Sequence, residues 1–393
     1  MAGVKKITLT FLLTAILALP AFADPVAEWN ENACALIGLE KVAGPPAANR
    51  MLALMHTAVY EAVAKGQNSS ADAAVAAASR TVLLKLLPTQ SAALEKMYEL
   101  SLAKSAPGAV RDAGVAAGEA AARAVLARRA DDGAMGPESY RPATSAGVYV
   151  LTSLPAALTW PQRRPWLMTN AAQFRPGPPP DLASERWARD YNEIQLLGAK
   201  ASKTRTPDQT TAARFWEATL PPIYYAVVRN VADSPGRDVV RNARLYAAVS
   251  QAIDDALIAV FDAKYAYNFW RPITAIRNGD IDGNDATERD PSWVPFIETP
   301  PHPEYPCAHC IVSATVATVL KAEIGGGTVP KFSSTSYMDK GLTRSWTSLD
   351  DFAKEVSEAR IADGVHYRFS TEVGVAMGHK VAALAVAKVL KSE

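Results

Sequence analysis

Apolar residues recur every three or four positions along most of the chain, which is the period of a helix with one buried face. In 46–64, for example, Leu52, Met55 and Val59 follow this spacing. The pattern predicts further helices at roughly 70–86, 89–104, 109–128, 182–198, 207–218, 236–268, 309–323, 349–362 and 371–391. A proline-rich segment, 131–181, reads as irregular, and no run of alternating strands or short repeat is present. The predicted fold class is therefore all-α, with two packed helical bundles and a site between helices of the C-terminal one.

The N-terminus has the pattern of a targeting segment. Lys5 and Lys6 precede a largely apolar run, and Ala21-Phe22-Ala23 ends in the small-x-small pattern of a cleavage site. We expect a signal peptide at 1–23, an N-terminal helical region at 24–200 and a C-terminal domain at 201–393. No later segment has an uninterrupted apolar run of spanning length, so we expect an exported protein, periplasmic or secreted, without a membrane span in the mature chain.

Composition narrows the classes of partner. The chain has 393 residues, a formal net charge of +1 and 49% hydrophobic residues, which allows a large core. This balance argues against a nucleic-acid partner, because no basic excess is available to contact a phosphate backbone. Three cysteines, Cys34, Cys307 and Cys310, are too few for a disulfide scaffold, and their odd number leaves at least one without an intrachain partner. We therefore expect small-molecule substrates, bound at a local site.

Three short blocks near the C-terminus carry the candidate chemistry. They are Lys264-Tyr-Ala-Tyr-Asn-Phe-Trp-Arg-Pro272, His302-Pro-Glu-Tyr-Pro-Cys-Ala-His309 and Arg360-Ile-Ala-Asp-Gly-Val-His366. Together they supply cations to hold the oxygens of a tetrahedral oxyanion, one imidazole to attack or ligate it, and another to move a proton.

Local patterns predict how these blocks are displayed. Lys264 and Arg271 are seven residues apart, so on one helix they would share a face, and Pro272 would help to end that helix. His309 opens the next apolar helix, where free backbone N–H groups and the helix dipole favour an anion.

In order and wording, the blocks resemble the superfamily that joins vanadium-dependent haloperoxidases with type 2 phosphatidic acid phosphatases and bacterial acid phosphatases. The resemblance covers roughly 240–380, and the first block, with His302, is more similar to haloperoxidases. It implies vanadate as the cofactor and halide with hydrogen peroxide as substrates. The alternative is a metal-free acid phosphatase that hydrolyses phosphomonoesters through a phosphohistidine at His366. A further alternative is an inactive member that only binds an oxyanion.

The resemblance also implies roles for single residues. Lys264, Arg271 and Arg360 would hold the oxyanion, His366 would be the vanadate ligand or the nucleophile, and His309 would be the acid–base group.

Other positions depart from the pattern of the superfamily. Cys307 and Ala308 stand where it commonly has serine and glycine, so a weaker donor and an added methyl group would face the oxyanion. Ser370 stands where an aspartate often orients the ligating histidine, which implies a weakened His366. His302 would lie behind the residues that contact the oxyanion.

Two other interpretations use the same residues. Cys307-Ala-His-Cys310 has the spacing of a thiol redox pair, although no β-α-β pattern precedes it; a structural disulfide or two separate thiols are the alternatives. His302, Cys307, His309 and Cys310 also have the ligand types of a zinc site, but such a site leaves Lys264, Arg271, Arg360 and His366 without a role.

Overall fold

The computed structural model describes residues 24–40, 44–64, 66, 68–138, 140–151, 153–219, 221–325, 329–339 and 341–391. The signal peptide predicted at 1–23 lies outside the described residues.

The predicted all-α class is confirmed, with thirteen α-helices in the described part of the chain. They are α1 (Pro25–Leu39), α2 (Pro45–Ala64), α3 (Ala71–Leu86), α4 (Ser91–Leu102), α5 (Ala109–Arg128), α6 (Glu185–Leu197), α7 (Pro207–Phe215), α8 (Pro222–Ala232), α9 (Val239–Tyr267), α10 (Pro272–Arg277), α11 (Ala308–Ile324), α12 (Leu349–Ala362) and α13 (Arg368–Ala385). A π-helical turn, Val386–Leu390, extends α13. Sequence periodicity missed α1, α8 and α10. The start of α1 has a recognisable signal, because Asp24 accepts hydrogen bonds from Val26 N and Ala27 N while Pro25 occupies the first turn.

Helix α9 is the central element of the core. It is 29 residues long, is buried along most of its length, and packs against α2, α11 and α13. One continuous apolar cluster includes residues from both predicted regions, among them Leu52 and Val59 of α2 and Val312 and Val316 of α11. The division at residue 200 stays a prediction.

The irregular segment 131–181 is fixed to α9 by buried charges. Arg163 pairs with Asp254 at 2.7 Å and with Asp132 at 2.9 Å, and all three side chains are buried. The next residue of α9, Asp255, accepts hydrogen bonds from three consecutive backbone amides, Trp166 to Met168. A segment without regular structure is thereby held in one place, and part of it reaches the candidate site.

A small hairpin is the one sheet in the described residues. Strands β1 (Phe332–Thr335) and β2 (Thr343–Trp346) are antiparallel, with Phe332 opposite Trp346, and β1 packs against α8.

The C-terminal helix packs closely against α11. A Cβ atom at Gly374 would lie 2.7 Å from Cys307 O, and one at Gly378 would lie 2.4 Å from Ile311 O, so both positions require glycine. By length and composition alone Arg368–Leu390 passes as a membrane span, although 44% of its most apolar window is buried inside the protein. A core helix passes the same test, so this is weak evidence for a span.

One buried histidine gives a stability prediction. His56 of α2 is fully buried, stacks on Tyr246 and bonds through Nε2 to the Asn30 amide, and burial lowers its pKa to about 3. The unfolded chain binds a proton there below about pH 6.5 while the folded chain does not, so stability present above that pH is lost as the pH falls. From about pH 6.5 to about pH 4.5 this group alone should cost about 2 kcal/mol.

Urea denaturation at these two pH values measures the effect. His56→Gln should lose correspondingly less stability across the window, whereas His379→Gln, which changes an exposed histidine, should follow the wild type. Equal losses in all three proteins would contradict a neutral, buried His56.

Candidate functional site

The first block does not lie on one helix, which corrects the sequence prediction. Helix α9 ends at Tyr267, and Asn268 follows it in the left-handed conformation with φ of 48°. Arg271 is the N-cap of α10 and Pro272 is the first residue of that helix, so Pro272 begins a helix instead of ending one. The chain reversal at Asn268 brings Arg271 back toward the buried side.

The third block places His366 just beyond α12. Arg360 lies in the last turn of that helix, and Gly364 follows with φ of 86°. A Cβ atom at Gly364 would lie 2.4 Å from Gly198 O, so only glycine allows this turn. The turn aims His366, which is 1% exposed, at the end of the first block.

A buried carboxylate orients His366. Glu304 Oε1 lies 2.7 Å from His366 Nδ1 and also accepts a hydrogen bond from Tyr367 N. Glu304 is fully buried, and burial raises the pKa of its carboxyl to about 7. Burial, followed by the charge of Arg271, lowers the pKa of His366 well below its ordinary value. The ring is thus neutral, with its proton on Nδ1 toward Glu304 and the lone pair of Nε2 left for a central atom.

Glu304 corrects the sequence prediction that His366 lacks a carboxylate partner. Ser370 does not orient the ring: its buried hydroxyl makes no hydrogen bond of ordinary geometry within the described residues, although it lowers the pKa of the neighbouring Glu304 carboxyl. The carboxylate therefore comes from the second block, 62 positions before the histidine.

Arg271 connects the first block to both other blocks. Its guanidinium donates to His302 O at 2.9 Å and Val365 O at 2.8 Å, and Nη1 lies 3.4 Å from His366 Nε2. Nη2 lies 2.9 Å from His302 Nδ1, which must accept because arginine only donates. Burial lowers the pKa of Arg271 to about 10, so it remains a cation at neutral pH.

Lys264 lies beneath the second block. Its fully buried Nζ donates to Pro303 O at 2.9 Å and Glu304 O at 2.8 Å, which leaves one N–H of the ammonium group. Burial, reinforced by Arg271, lowers the pKa of Lys264 well below its ordinary value. A nearby anion favours the ammonium form and would offset part of this effect.

Arg360 keeps an unused donor. Its Nη1 donates to Trp216 O at 2.8 Å and lies 2.8 Å from Asp363 Oδ2, whereas its Nε makes no hydrogen bond within the described residues. Burial raises the pKa of Asp363 to about 6, so Arg360 has an ionised partner at neutral pH. A buried donor without a partner is rare in proteins and suits a ligand site.

The hydroxyl of Tyr224 positions the His309 ring. Its Nδ1 lies 3.0 Å from the hydroxyl of Tyr224, a fully buried residue of α8, and the same hydroxyl donates to His309 O at 3.3 Å. Burial, with the charges of Arg360 and Lys264, lowers the pKa of His309 well below its ordinary value. The Tyr224 contact leaves Nε2 of a neutral ring for proton transfer in the cavity.

Cys307 cannot be a thiol donor, which corrects its predicted role. It forms a disulfide with Cys310, and its sulfur accepts the Cys310 N–H as the N-cap of α11. The Cys307 amide donates to Ser370 O. The next two amides, Ala308 N and His309 N, are in the first turn, where no preceding helix carbonyl accepts from them. The anion-binding capacity of this helix start therefore resides in the backbone at Ala308 and His309.

The disulfide argues against both other interpretations, the thiol redox pair and the zinc site. Both sulfurs are fully buried and bonded, so they offer neither thiolates to zinc nor an exposed redox pair. No group of three or more His, Cys, Asp or Glu suited to a metal ion occurs among the described residues. The remaining cysteine, Cys34, is buried and free within the described structure, and burial raises its thiol pKa to about 12.

The second and third blocks line one cavity of about 400 Å³, and the first block is joined to them through Arg271. Its inner end is lined by five of the predicted site residues: His302, Ala308, His309, Arg360 and His366. Arg271 reaches this end through its contacts with His302 and His366, and Lys264 lies behind the wall, bonded to the carbonyls of Pro303 and Glu304. Ser370 and the Cys307 side chain stay outside it. Sequence reasoning missed Glu304, Asp363 and Tyr224.

The inner end suits an oxyanion such as vanadate. It combines Arg360 with its unused Nε, two helix-start amides and His366, whose Nε2 accepts only a long contact of 3.4 Å from Arg271. Lys264 lies behind the wall with one N–H left. The carboxylates beside these groups, Glu304 and Asp363, are engaged by His366 and Arg360.

Comparisons with known proteins agree with this geometry. The family profile described as the VCPO second helical-bundle domain matches residues 244–392. The vanadium chloroperoxidase of Curvularia inaequalis is 27% identical across a region covering 40% of this chain and 31% of that protein, so the chain spans about a third of this relative's length.

Two solved structures have the same fold over nearly their full length. The first bacterial vanadium-dependent iodoperoxidase to be solved superposes with a TM-score of 0.79 and 24% identity, covering 94% of this chain and 98% of its own. A holo-type bacterial vanadium-dependent chloroperoxidase gives a TM-score of 0.72 and 15% identity, covering 96% and 100%. The profile match over 244–392 and the shared fold together support the superfamily of vanadium haloperoxidases and type 2 phosphatidic acid phosphatases.

The second-bundle match covers all three blocks in full, since it begins at residue 244 and ends at residue 392. The profile thus includes Lys264, Arg271, His309, Arg360 and His366 on the same unit that forms the inner end of the cavity.

Proposed function

We propose that this protein is a vanadate-dependent haloperoxidase that oxidises halide with hydrogen peroxide. The observation that carries the proposal is the His366 ring, whose Nδ1 lies against Glu304 while its Nε2 faces Arg271 in a cavity lined with donors. The named relatives, all vanadium haloperoxidases, support vanadate as the oxyanion. The phosphatase alternative has no support from these relatives.

His366 Nε2 would ligate vanadate, and Arg271, Arg360, Lys264 and the α11 amides would hold its oxygens. When bound there, vanadate activates hydrogen peroxide so that a halide ion can attack an oxygen atom.

The residues of this chain supply charge and protons for that reaction. The oxidation of one halide by one peroxide takes up one proton and gives hypohalous acid and water. His309 lines the cavity, and its Nε2 can carry this proton because Tyr224 occupies the other ring nitrogen. Arg271 and Arg360 stay charged and offset the negative charge of the oxyanion, and a bound anion raises the pKa of Lys264 toward its ordinary value.

Two assays on the wild-type protein test the proposal. With vanadate and peroxide, iodide should be oxidised to triiodide, and bromide should be tried in parallel. The vanadate-free protein should hydrolyse p-nitrophenyl phosphate slowly or not at all. Strong phosphatase activity that added vanadate inhibits, without halide oxidation, would instead support the phosphatase. Inactivity in both assays despite measurable vanadate binding would support an oxyanion-binding protein.

We also propose that the protein is exported, periplasmic or secreted, on the evidence of Lys5, Lys6 and the Ala21-Phe22-Ala23 pattern. The disulfide between Cys307 and Cys310 supports this, because disulfides persist in oxidising compartments. N-terminal sequencing of the protein recovered from cell fractions tests the proposal, and a cytoplasmic protein that keeps residues 1–23 would contradict it.

A further inference from the structure

The disulfide closes the first turn of α11 on both sides of the residues that line the cavity. Cys307 is the N-cap of this helix, and Cys310 is its third residue. The two residues between them, Ala308 and His309, line the cavity, whereas both half-cystines are fully buried. The bond therefore spans the two backbone amides that are left for an oxyanion.

A covalent bond takes the place of a strong hydrogen-bonded cap in this turn. Cys307 Sγ accepts the Cys310 N–H at 3.1 Å, which is the usual position of a cap, but sulfur is a weak acceptor. Helix ends fray, and a weakly capped first turn frays more readily. Because Cys307 and Cys310 are also joined through their sulfurs, this turn is restrained by a bond that fraying cannot break.

Helix α13 packs against the same turn from the other side. The Cys307 amide donates to Ser370 O at 3.2 Å. A Cβ atom at Gly374 would lie 2.7 Å from Cys307 O and 3.1 Å from Cys310 Cβ, so the two helices leave no space between them here. The bond within the turn and the packing outside it together restrict the directions in which the Ala308 and His309 amides can point.

A second observation indicates that an anion occupies the space before these amides. Arg360 lines the same cavity as Ala308 and His309, is 2% exposed, and keeps an Nε without a partner in the described structure. Donors that are already in position bind an anion without a cost of reorganisation, and loosely held donors bind it more weakly. The affinity of this site should therefore depend on how firmly the first turn of α11 is held.

We propose that the disulfide between Cys307 and Cys310 positions the Ala308 and His309 amides for the oxyanion, so that the site binds strongly only after the bond has formed. The inference rests on the proposed function and makes that site depend on oxidation, which the proposed export would provide. The bond forms by thiol–disulfide exchange. The two thiols lose two electrons and two protons, and a disulfide oxidant takes these up and becomes two thiols.

Cys310→Ala tests the proposal because it leaves Cys307 as a thiol cap without the bond. Calorimetric titration with inorganic phosphate and with orthovanadate should show affinities about tenfold weaker than those of the wild type, the equivalent of about one hydrogen bond. Hydrogen-exchange mass spectrometry should show faster exchange in the peptide that covers 306–311 and unchanged exchange in the other helices. Wild-type affinity in this variant would refute the proposal.

A rescue variant separates positioning from a general loss of stability. Cys307→Ser combined with Cys310→Ala supplies an oxygen cap and a hydroxyl donor in place of the bond, so its affinities should return to within about threefold of the wild type. Cys34→Ala is the control, since it removes a buried cysteine of the core that does not line the cavity, and it should bind like the wild type. If the rescue variant binds as weakly as Cys310→Ala, the bond acts only through stability and the proposal is wrong.

Phosphate binding does not require halide oxidation, so this proposal and the haloperoxidase function can fail separately. Halide oxidation together with equal phosphate affinities in wild type and Cys310→Ala would refute the role of the disulfide alone. A tenfold difference in affinity without any halide oxidation would refute the haloperoxidase function alone. A wild type that binds neither phosphate nor vanadate would refute both.

Discussion

Replacing His366 by alanine should abolish vanadate binding and reduce halide oxidation below detection. Nε2 of His366 lies 3.4 Å from Arg271 Nη1, and among the described hydrogen bonds Glu304 orients no other imidazole. Vanadium-51 NMR of the protein–vanadate mixture measures binding, and triiodide formation measures turnover.

The matched control is His379→Ala. His379 is exposed and bonds only to Thr318 among the described hydrogen bonds, so this variant should bind vanadate and oxidise iodide like the wild type. A His366→Ala protein that still binds vanadate with wild-type affinity would show that the oxyanion is held elsewhere. The whole site assignment would then be wrong.

Replacing Glu304 by glutamine should weaken vanadate binding by about 10- to 100-fold, the usual effect of removing a carboxylate behind a ligating histidine. Glutamine preserves the shape and can still accept from His366 Nδ1, but it removes the negative charge that makes Nε2 a better donor. Ser370→Ala is the control, because the Ser370 hydroxyl makes no ordinary hydrogen bond to the ring, and its effect should be several-fold smaller.

The contact between Glu304 and His366 also predicts that vanadate binding depends on pH. Burial raises the pKa of Glu304 to about 7, so the carboxylate is present above this pH and is lost as the pH falls through it. Wild-type vanadate affinity should therefore fall between about pH 8 and about pH 6, and the slope should flatten in Glu304→Gln. Titration of both proteins across this window measures the difference. An identical slope in the two would assign the dependence to another group, such as Lys264.

Ser370→Asp should disturb the site around His366. The sequence resemblance implied that Ser370, in place of an aspartate, weakens His366. In the structure Ser370 is buried beside Glu304, so an aspartate would place a second carboxylate against the first. One of the two would then stay protonated at neutral pH, and the orientation of His366 would be disturbed.

The sequence predicted most of the helices and the meeting of three blocks, because both depend on local periodicity and on an ordered motif. It could not predict how the blocks bond to one another. The contact between Glu304 and His366 joins two loops that only the packing of α11 and α13 brings together. The glutamate stood in the second block, but nothing local distinguished it from a solvated residue of a proline-rich loop.

The break after α9 did have a local signal. Lys264 and Arg271 fit one helix face by spacing, yet Asn268 stands between them, and asparagine is among the few residues that adopt the left-handed conformation readily. Pro272 then suits the first turn of a new helix as well as the end of an old one. Periodicity alone could not choose between these two functions of a proline.

The bond between Cys307 and Cys310 has a consequence for the durability of a protein that generates hypohalous acid. Thiolates are the first groups that strong oxidants convert to sulfenic and then to irreversible sulfinic and sulfonic acids. Cys307 is two residues from the proposed proton donor His309, but its sulfur is already joined to Cys310, and the thiol of Cys34 is buried and protonated. No cysteine in the chain therefore presents a reactive thiolate to the product. Such a protein would resist self-inactivation at cysteine through many turnovers.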